Sequence, residues 1–373
     1  MKLRDFALEC YFERYEFTAP YLLAQSDCEA MTARELLALE PGSEAGYLDC
    51  WLGYTETWGD PALRERIAAL YPGLGPEHIL CFHGAQEAIL AYLNVMLDAG
   101  DHAILMTPNC PSVWEAVRAI PGLAWDPWTI RDGGGRWTVD LDELEGLLRP
   151  NTKVIAVNSP NNPTGLTLTN AQLRRLCDLC RDRGIYLFCD EVYKGLEWDG
   201  EARVAAATLY EKALSLNVMS KSYGLAGLRV GWAASKDRET LQRLARFKHY
   251  TSICDAAPAE YLARIALLHG DALLARNRAI IQGNMQTADA FFARHPAVFD
   301  PRPMDAGPVA FHALRLDMGA EEFCRRAVTE QGVLLLPGSV YEAPPQYFRM
   351  GYGRRSFGEN LNQLELFLRK NKF

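Results

Sequence analysis

A chain of 373 residues, 49% of them hydrophobic and 23% charged, has a globular composition and the length of two domains rather than one. Its net charge of −8 argues against general nucleic-acid binding, and no apolar run reaches the roughly 18 to 20 residues of a membrane span. Ten scattered cysteines without a disulfide framework, and an opening stretch Met1–Cys10 with charges at helical spacing and no apolar h-region, point to a cytoplasmic protein without a secretory signal.

In chain order, residues 5–16 read as an amphipathic helix with Phe6, Cys10, Phe12 and Phe17 as its apolar points. Residues 32–39 read as a second helix, capped by Thr32 with Glu35 three residues on. The bridge from Pro41 to Gly46 marks a domain boundary. Asp60-Pro61 starts a helix expected to run to about Tyr71, with Asp60 as N-cap. Strands and helices then alternate: strand 78–82, helix 86–97, strand 103–107, helix 112–120, strand 153–158, helix 170–183, strand 185–190 and strand 213–219. Short buried runs between helices predict an α/β fold with a mostly parallel sheet of seven strands, sandwiched by helices. Residues 236–294 read as long helices. The remainder reads as a smaller α+β unit, with strands near 309–314, 333–336 and 347–351 and helices near 321–330 and 357–370. The expected division is an N-terminal segment 1–46 packing with the small domain, a large domain 47–270 and a small C-terminal domain 271–373. Cys177 and Cys180 form a lone CxxC inside a helical pattern with no second pair at zinc spacing, so no metal is expected.

The polar motifs fall at the carboxyl ends of the predicted strands, where such sheets bind ligands. After the apolar run 213–219 comes Ser220-Lys221, then Gly224, Gly227 and, eight residues past the lysine, Arg229. A lysine amine forms imines with aldehydes, glycines allow close backbone approach and an arginine forks onto phosphate. Most lysines in loops are merely solvated; the buried run behind Lys221 is what separates it from them. His83-Gly84-Ala85-Gln86 joins a strand to a helix and offers N–H groups to a phosphate, or is an ordinary glycine turn. Asn158-Ser-Pro-Asn-Asn-Pro-Thr-Gly165 is a stiff loop that projects Asn162, as a ligand donor or as a plain turn. Asp190 ends a buried run and needs a cation, a helix N-cap role or an ion pair. Tyr193 follows three residues later and fits either the same ligand or core packing. Arg349, inside Tyr347–Gly351, needs a bidentate partner, which a substrate carboxylate or a structural aspartate would each supply.

The succession G-A-x-E-A, N-N-P-T-G, D-E-V-Y, S-K-x-x-G-L-A-G-L-R-x-G-W and F-R-M-G resembles the fold-type-I pyridoxal-phosphate enzymes of the class I/II aminotransferase superfamily, from Tyr54 to the C-terminus. A looser likeness, in Tyr11-Phe12, Glu35–Leu39 and the lysine loop, is to capreomycidine-synthase-like enzymes. The resemblance implies pyridoxal 5'-phosphate as cofactor. It implies that Lys221 forms the internal aldimine and moves a proton between substrate Cα and cofactor C4′. By the same likeness Asp190 pairs with the ring nitrogen, Asn162 and Tyr193 hold the ring oxygen, and Gly84, Ala85, Gln86, Ser220 and Arg229 hold the phosphate. Arg349 takes the substrate carboxylate. Tyr54 reaches the phosphate of a neighbouring subunit, which implies a homodimer with shared sites. Two positions depart from the pattern. Cys110 stands where an aromatic residue usually stacks on the ring, with Trp114 one helical turn away, and Val218 stands where a hydroxyl residue is common.

The expected reaction is amino transfer between an amino acid and a 2-oxo acid. The alternative is β-elimination with cyclisation of a hydroxylated arginine-like amino acid on the same machinery. A non-catalytic pyridoxal-phosphate-binding regulator is a third reading, at odds with the acidic chain. The polar run Ser26-Asp27-Cys28-Glu29 lies in the region that the resemblance brings near the substrate; Asp27 or Glu29 either selects a cationic side chain or belongs to a solvated loop.

Overall fold

The computed structural model describes residues 3–373, so the first two residues of the opening stretch lie outside it. Seven strands build the large sheet: β1 (Ile79–Phe82), β2 (His102–Thr107), β3 (Ala124–Thr129), β4 (Thr152–Asn158), β5 (Tyr186–Asp190), β6 (Ala213–Val218) and β7 (Gly231–Ser235). Their order is β1-β7-β6-β5-β4-β2-β3. β7 runs antiparallel to both neighbours and the other pairings are parallel. Successive residues of a strand point to opposite faces. Ile79 and Cys81 accordingly join one buried cluster with Ile67, Trp232 and Ala263, while Leu80 and Phe82 join another with Leu93, Leu105, Phe188 and Leu244. Helices cover both faces, which is why the strands read as unbroken apolar runs rather than alternating ones.

The strand β3 is the element that the sequence conceals. Its sequence Ala-Trp-Asp-Pro-Trp-Thr carries an acid and a proline, and most of it is only half-buried. It sits at the sheet edge and pairs with β2 alone, the one place where a missing N–H at Pro127 costs no ladder bond to a second neighbour. Within the expected bridge 41–46, Ser43–Leu48 is helical, with Gly42 at a left-handed φ of 85° as its N-cap. A side chain on Gly46, inside that helix, would meet the Tyr261 hydroxyl. The Thr32 capping box and the Asp60 cap form as expected, although the Pro61 helix ends at Ala68. In the first helix, Ala7–Tyr15, Leu8 and Phe12 are buried while Cys10 is exposed and Phe17, beyond the helix end, is 90% exposed.

A second, four-stranded antiparallel sheet contains Phe299–Asp300, Val309–Leu314, Tyr347–Gly351 and Leu336–Pro337 in that spatial order. Both chain ends contribute to this unit. Tyr21–Leu22 pairs in parallel with Val333–Leu334, and the Leu23 carbonyl accepts the Gly351 N–H at 2.7 Å. The N-terminal strand then runs against glycines that leave it room. A Cβ at Gly351 would lie 1.8 Å from the Gln25 carbonyl oxygen, and one at Gly353 would lie 2.1 Å from that of Asp27. Residues 24–27 are thereby pressed toward the carboxyl ends of the large sheet.

A buried ion pair braces the region behind β1. Lys248 Nζ, fully buried, donates to Asp255 Oδ2 at 2.6 Å, to the Cys81 carbonyl at 2.8 Å and to the Thr57 carbonyl at 2.9 Å. Three acceptors compensate the desolvation of the ammonium. Nearby, burial lifts the Glu260 carboxyl to about 7, and its Oε1 accepts the Asp60 N–H.

Candidate active site

A cleft of about 560 Å³ opens where the carboxyl ends of β4, β5 and β6 meet the start of the helix Ala85–Met96. Its position follows from register. Asn158 at the end of β4 lies opposite Asp190 at the end of β5, which lies opposite Leu216 of β6. Lys221, three residues past β6, enters the same space.

Lys221 is half-buried, and its amine donates to the Ser26 hydroxyl at 2.8 Å. Burial pulls its pKa down, with the Arg349 charge acting in the same direction and Asp27 opposing. A lysine so placed has more of its amine unprotonated than a surface lysine has. Asp190 Oδ1 accepts the Val192 N–H at 3.1 Å, and burial raises its carboxyl to about 7. The Asn158 amide donates to the Asp190 carbonyl at 3.2 Å and its Oδ1 accepts the Asn162 N–H at 2.7 Å, so one amide locks both loops. Asn162 Oδ1 accepts from the Tyr341 hydroxyl and from Arg349 Nη1, both at 3.0 Å, which leaves its NH2 end toward the cleft. Arg349 is 1% exposed; it also donates to the Tyr341 oxygen and the Ala24 carbonyl, and its Nε has no partner. A buried guanidinium with no carboxylate beside it is an anion site in waiting.

The phosphate candidates meet on the other side of the cleft. Gly84, at φ 82°, is the N-cap of the helix Ala85–Met96, and a Cβ on it would strike Arg229 Nη2 at 2.5 Å. A Cβ on Gly231 would come 2.8–2.9 Å from the Gly84 carbonyl carbon and the Ala85 nitrogen. Arg229 Nη1 donates to the Ser220 hydroxyl at 3.4 Å, and Ala85, Gln86, Ser220 and Arg229 all line the cleft. Helix N–H groups, a hydroxyl and a guanidinium around a floor kept free of side chains form an anion cradle.

Ten of the residues that the sequence singles out therefore share one cleft: Ala85, Gln86, Cys110, Asn162, Asp190, Tyr193, Ser220, Lys221, Arg229 and Arg349. Gly84 frames it from behind. Tyr54 is not brought there within one chain: it is 82% exposed, beside Cys50 and Trp51 around a different hollow. Cys110 faces the cleft as the N-cap of the helix Pro111–Arg118, with burial raising its thiol pKa and the Ser112 hydroxyl donating to its sulfur at 3.3 Å. Trp114 does not replace the missing aromatic, because its ring lines a neighbouring cavity instead. Asn158, Tyr341 and Gln25 take part without having been singled out. Asn158, like Asp190, is a polar side chain on the last buried position of a strand. Tyr341 lies on a 3-10 turn and its neighbours give no signal.

The donor set suits a phosphorylated pyridine aldehyde. The anion cradle, the buried Asp190 carboxyl and the Lys221 amine match its phosphate, ring nitrogen and aldehyde. The Tyr193 hydroxyl, buried and without a partner, matches its ring oxygen. The sequence model of "Aminotransferase class I and II" matches residues 23–360. The chain belongs to that family. It is a pyridoxal-phosphate-dependent enzyme. Among the relatives of this aminotransferase-family enzyme is the capreomycidine synthase of Streptomyces vinaceus, 28% identical over 88% of this chain and 84% of the relative. The arginine–pyruvate transaminase of Pseudomonas aeruginosa is 30% identical over 77% of this chain and 74% of that one. A crystal structure of a pyridoxal-phosphate-dependent aminotransferase from Streptococcus suis superposes with a TM-score of 0.91 at 31% identity, covering 99% of each chain. Among the described residues, no helix is long and apolar enough to cross a membrane.

Proposed function

We propose that this enzyme transfers the α-amino group of an amino acid to a 2-oxo acid. The observation that carries the reading is the Lys221 amine, its pKa lowered by desolvation, in one cleft with Asp190 and the carboxylate-free Arg349. Pyridoxal phosphate supplies, when bound, an electron sink for the pair left at substrate Cα. Asp190 would hold the charge on the ring nitrogen, while Asn162 and Tyr193 would hold the ring oxygen. Gly84, Ala85, Gln86, Ser220 and Arg229 would seat the phosphate. Arg349 orients the substrate through its carboxylate, and Lys221 takes and returns the proton at Cα. Elimination with cyclisation of a hydroxylated, arginine-like amino acid is the second reading. It draws on Cys110 at the ring-facing position and on the likeness to capreomycidine synthase.

One experiment separates the two. Holoenzyme is incubated with single amino acids, hydroxylated arginines included, without any oxo acid. Accumulation of pyridoxamine phosphate supports amino transfer. A dehydrated product with the cofactor spectrum restored supports elimination. An unchanged spectrum with every amino acid overturns both.

The surface around Tyr54 supports a homodimer with shared sites. Trp51 and Tyr54 line one hollow and are 76% and 82% exposed, with Leu48 and Leu52 close in sequence at 74% and 81%, large apolar exposures of the kind found at interfaces. Mixing inactive Lys221→Ala subunits with impaired Tyr54→Phe subunits is expected to restore part of the activity in hybrid dimers. No recovery, or a monomer in sedimentation, would count against shared sites.

A further inference from the structure

The helix Ala7–Tyr15 roofs the cleft. The Arg349 guanidinium lies 5.8 Å from the Phe12 ring centroid, and Phe6, Leu8 and Phe12 line the space beneath. Glu9 of this helix, which is exposed, and Glu16, its half-buried C-cap, also line the mouth of the cleft.

The other charges lining the cleft have partners or assigned tasks. Lys221, Arg229 and Arg349 are the imine, phosphate and carboxylate groups of the proposed reaction. Asp190 would pair with the ring nitrogen of bound cofactor. Asp27 receives both its hydrogen bonds from Arg354 Nη2, at 2.8 and 2.9 Å. Glu29 accepts the Arg355 N–H at 2.9 Å and does not line the cleft. Among the described residues, Glu9 and Glu16 form no ion pair; Glu16 Oε1 receives only a long hydrogen bond of 3.5 Å from Gln25 Nε2. Among the described residues, these two carboxylates at the mouth of the site are left without a cation.

Gln25 makes a second, independent observation. It is 5% exposed and lines the same cleft, and its Oε1 is buried without a hydrogen-bond donor. Its backbone is held against Gly351, where no side chain would fit. A buried amide oxygen with no donor costs free energy that a ligand N–H would recover.

We propose that the substrate is an amino acid whose side chain ends in a cation with several N–H donors, a guanidinium or an ammonium. Glu9 and Glu16 supply the opposite charge and Gln25 accepts one N–H. This rests on the reading of the cleft as an amino-acid site, with the α-carboxylate on Arg349. A guanidinium offers five donors in one plane and suits a carboxylate beside an amide oxygen.

The test compares near-isosteric pairs, L-arginine with L-citrulline and L-lysine with L-norleucine, on the holoenzyme. The rate of the cofactor spectral change and the binding affinity by calorimetry are both read. The cationic member is expected to be preferred about tenfold or more, and added salt is expected to shrink that preference. In a Glu9→Gln/Glu16→Gln double variant the arginine-to-citrulline ratio is expected to fall by about tenfold. Equal binding of the neutral and cationic members, or an unchanged ratio in the variant, overturns the proposal. A strong preference for neutral amino acids would overturn it while leaving amino transfer intact. Calorimetry decides the matter even if no amino acid alters the spectrum, the result that would sink the reaction itself.

Discussion

Replacing Lys221 by alanine is expected to reduce turnover by at least about 10⁴-fold and to remove the visible absorbance of the holoenzyme. The size of the effect comes from two roles in one side chain. Among the described residues, the amine is the only lysine nitrogen lining the cleft, and it is the group placed to move a proton at substrate Cα. Its surroundings are arranged for that work. Burial lowers its pKa, and Ser26 holds its position without adding a charge. Absorbance spectra and single-turnover rates check the prediction together. A variant that keeps both the spectrum and the rate would remove Lys221 from the mechanism.

Asp190→Ala is expected to lower kcat/KM by about 10²–10³-fold, the range seen when one preorganised electrostatic partner is removed. A pH dependence accompanies it. In the chain without cofactor, burial lifts this carboxyl to about 7, against roughly 3.9 when unfolded. Between those values the folded chain holds a proton that the unfolded chain releases. The contribution to stability is therefore present at low pH and lost as pH rises from about 4 through 7. Bound cofactor reverses the preference, because a cationic ring nitrogen favours the carboxylate. Cofactor retention is thus expected to weaken as pH falls below about 7 in the native enzyme, and less so in Asp190→Ala. Dialysis at pH 6 and pH 8, followed by absorbance, measures it. Equal retention at both pH values in the native enzyme would contradict the assigned pairing.

The sequence made the large sheet legible because its central strands are buried on both faces, so Val154–Val157 and Leu187–Cys189 read as unbroken apolar runs. Edge strand β3 was illegible for the opposite reason: half-buried and carrying Pro127, it has the composition of a loop. Site residues at the ends of buried strands were readable, since a lone Asp or Lys after such a run stands out. Gln25, Glu9 and Glu16 were not. Their neighbours in the cleft come from the far end of the chain, and no local pattern records that meeting. The first helix shows this plainly. Its spacing offered Phe6, Cys10, Phe12 and Phe17 as apolar points; tertiary packing buried Phe12 with Leu8, left Cys10 and Phe17 exposed, and brought Glu9 and Glu16 to the mouth of the cleft.

The glycine-lined passage of residues 24–27 along Gly351 and Gly353 has a consequence for how the enzyme comes into being. The hydrogen bond from Arg349 to the Ala24 carbonyl joins residues 325 positions apart, and it closes the cleft wall. During synthesis the large sheet can fold as its strands emerge, but the wall that faces Lys221 must wait for nearly the last residues of the chain. A nascent or C-terminally clipped chain would thus expose a reactive amine in an open half-cleft, able to meet aldehydes but without Arg349 to choose among substrates.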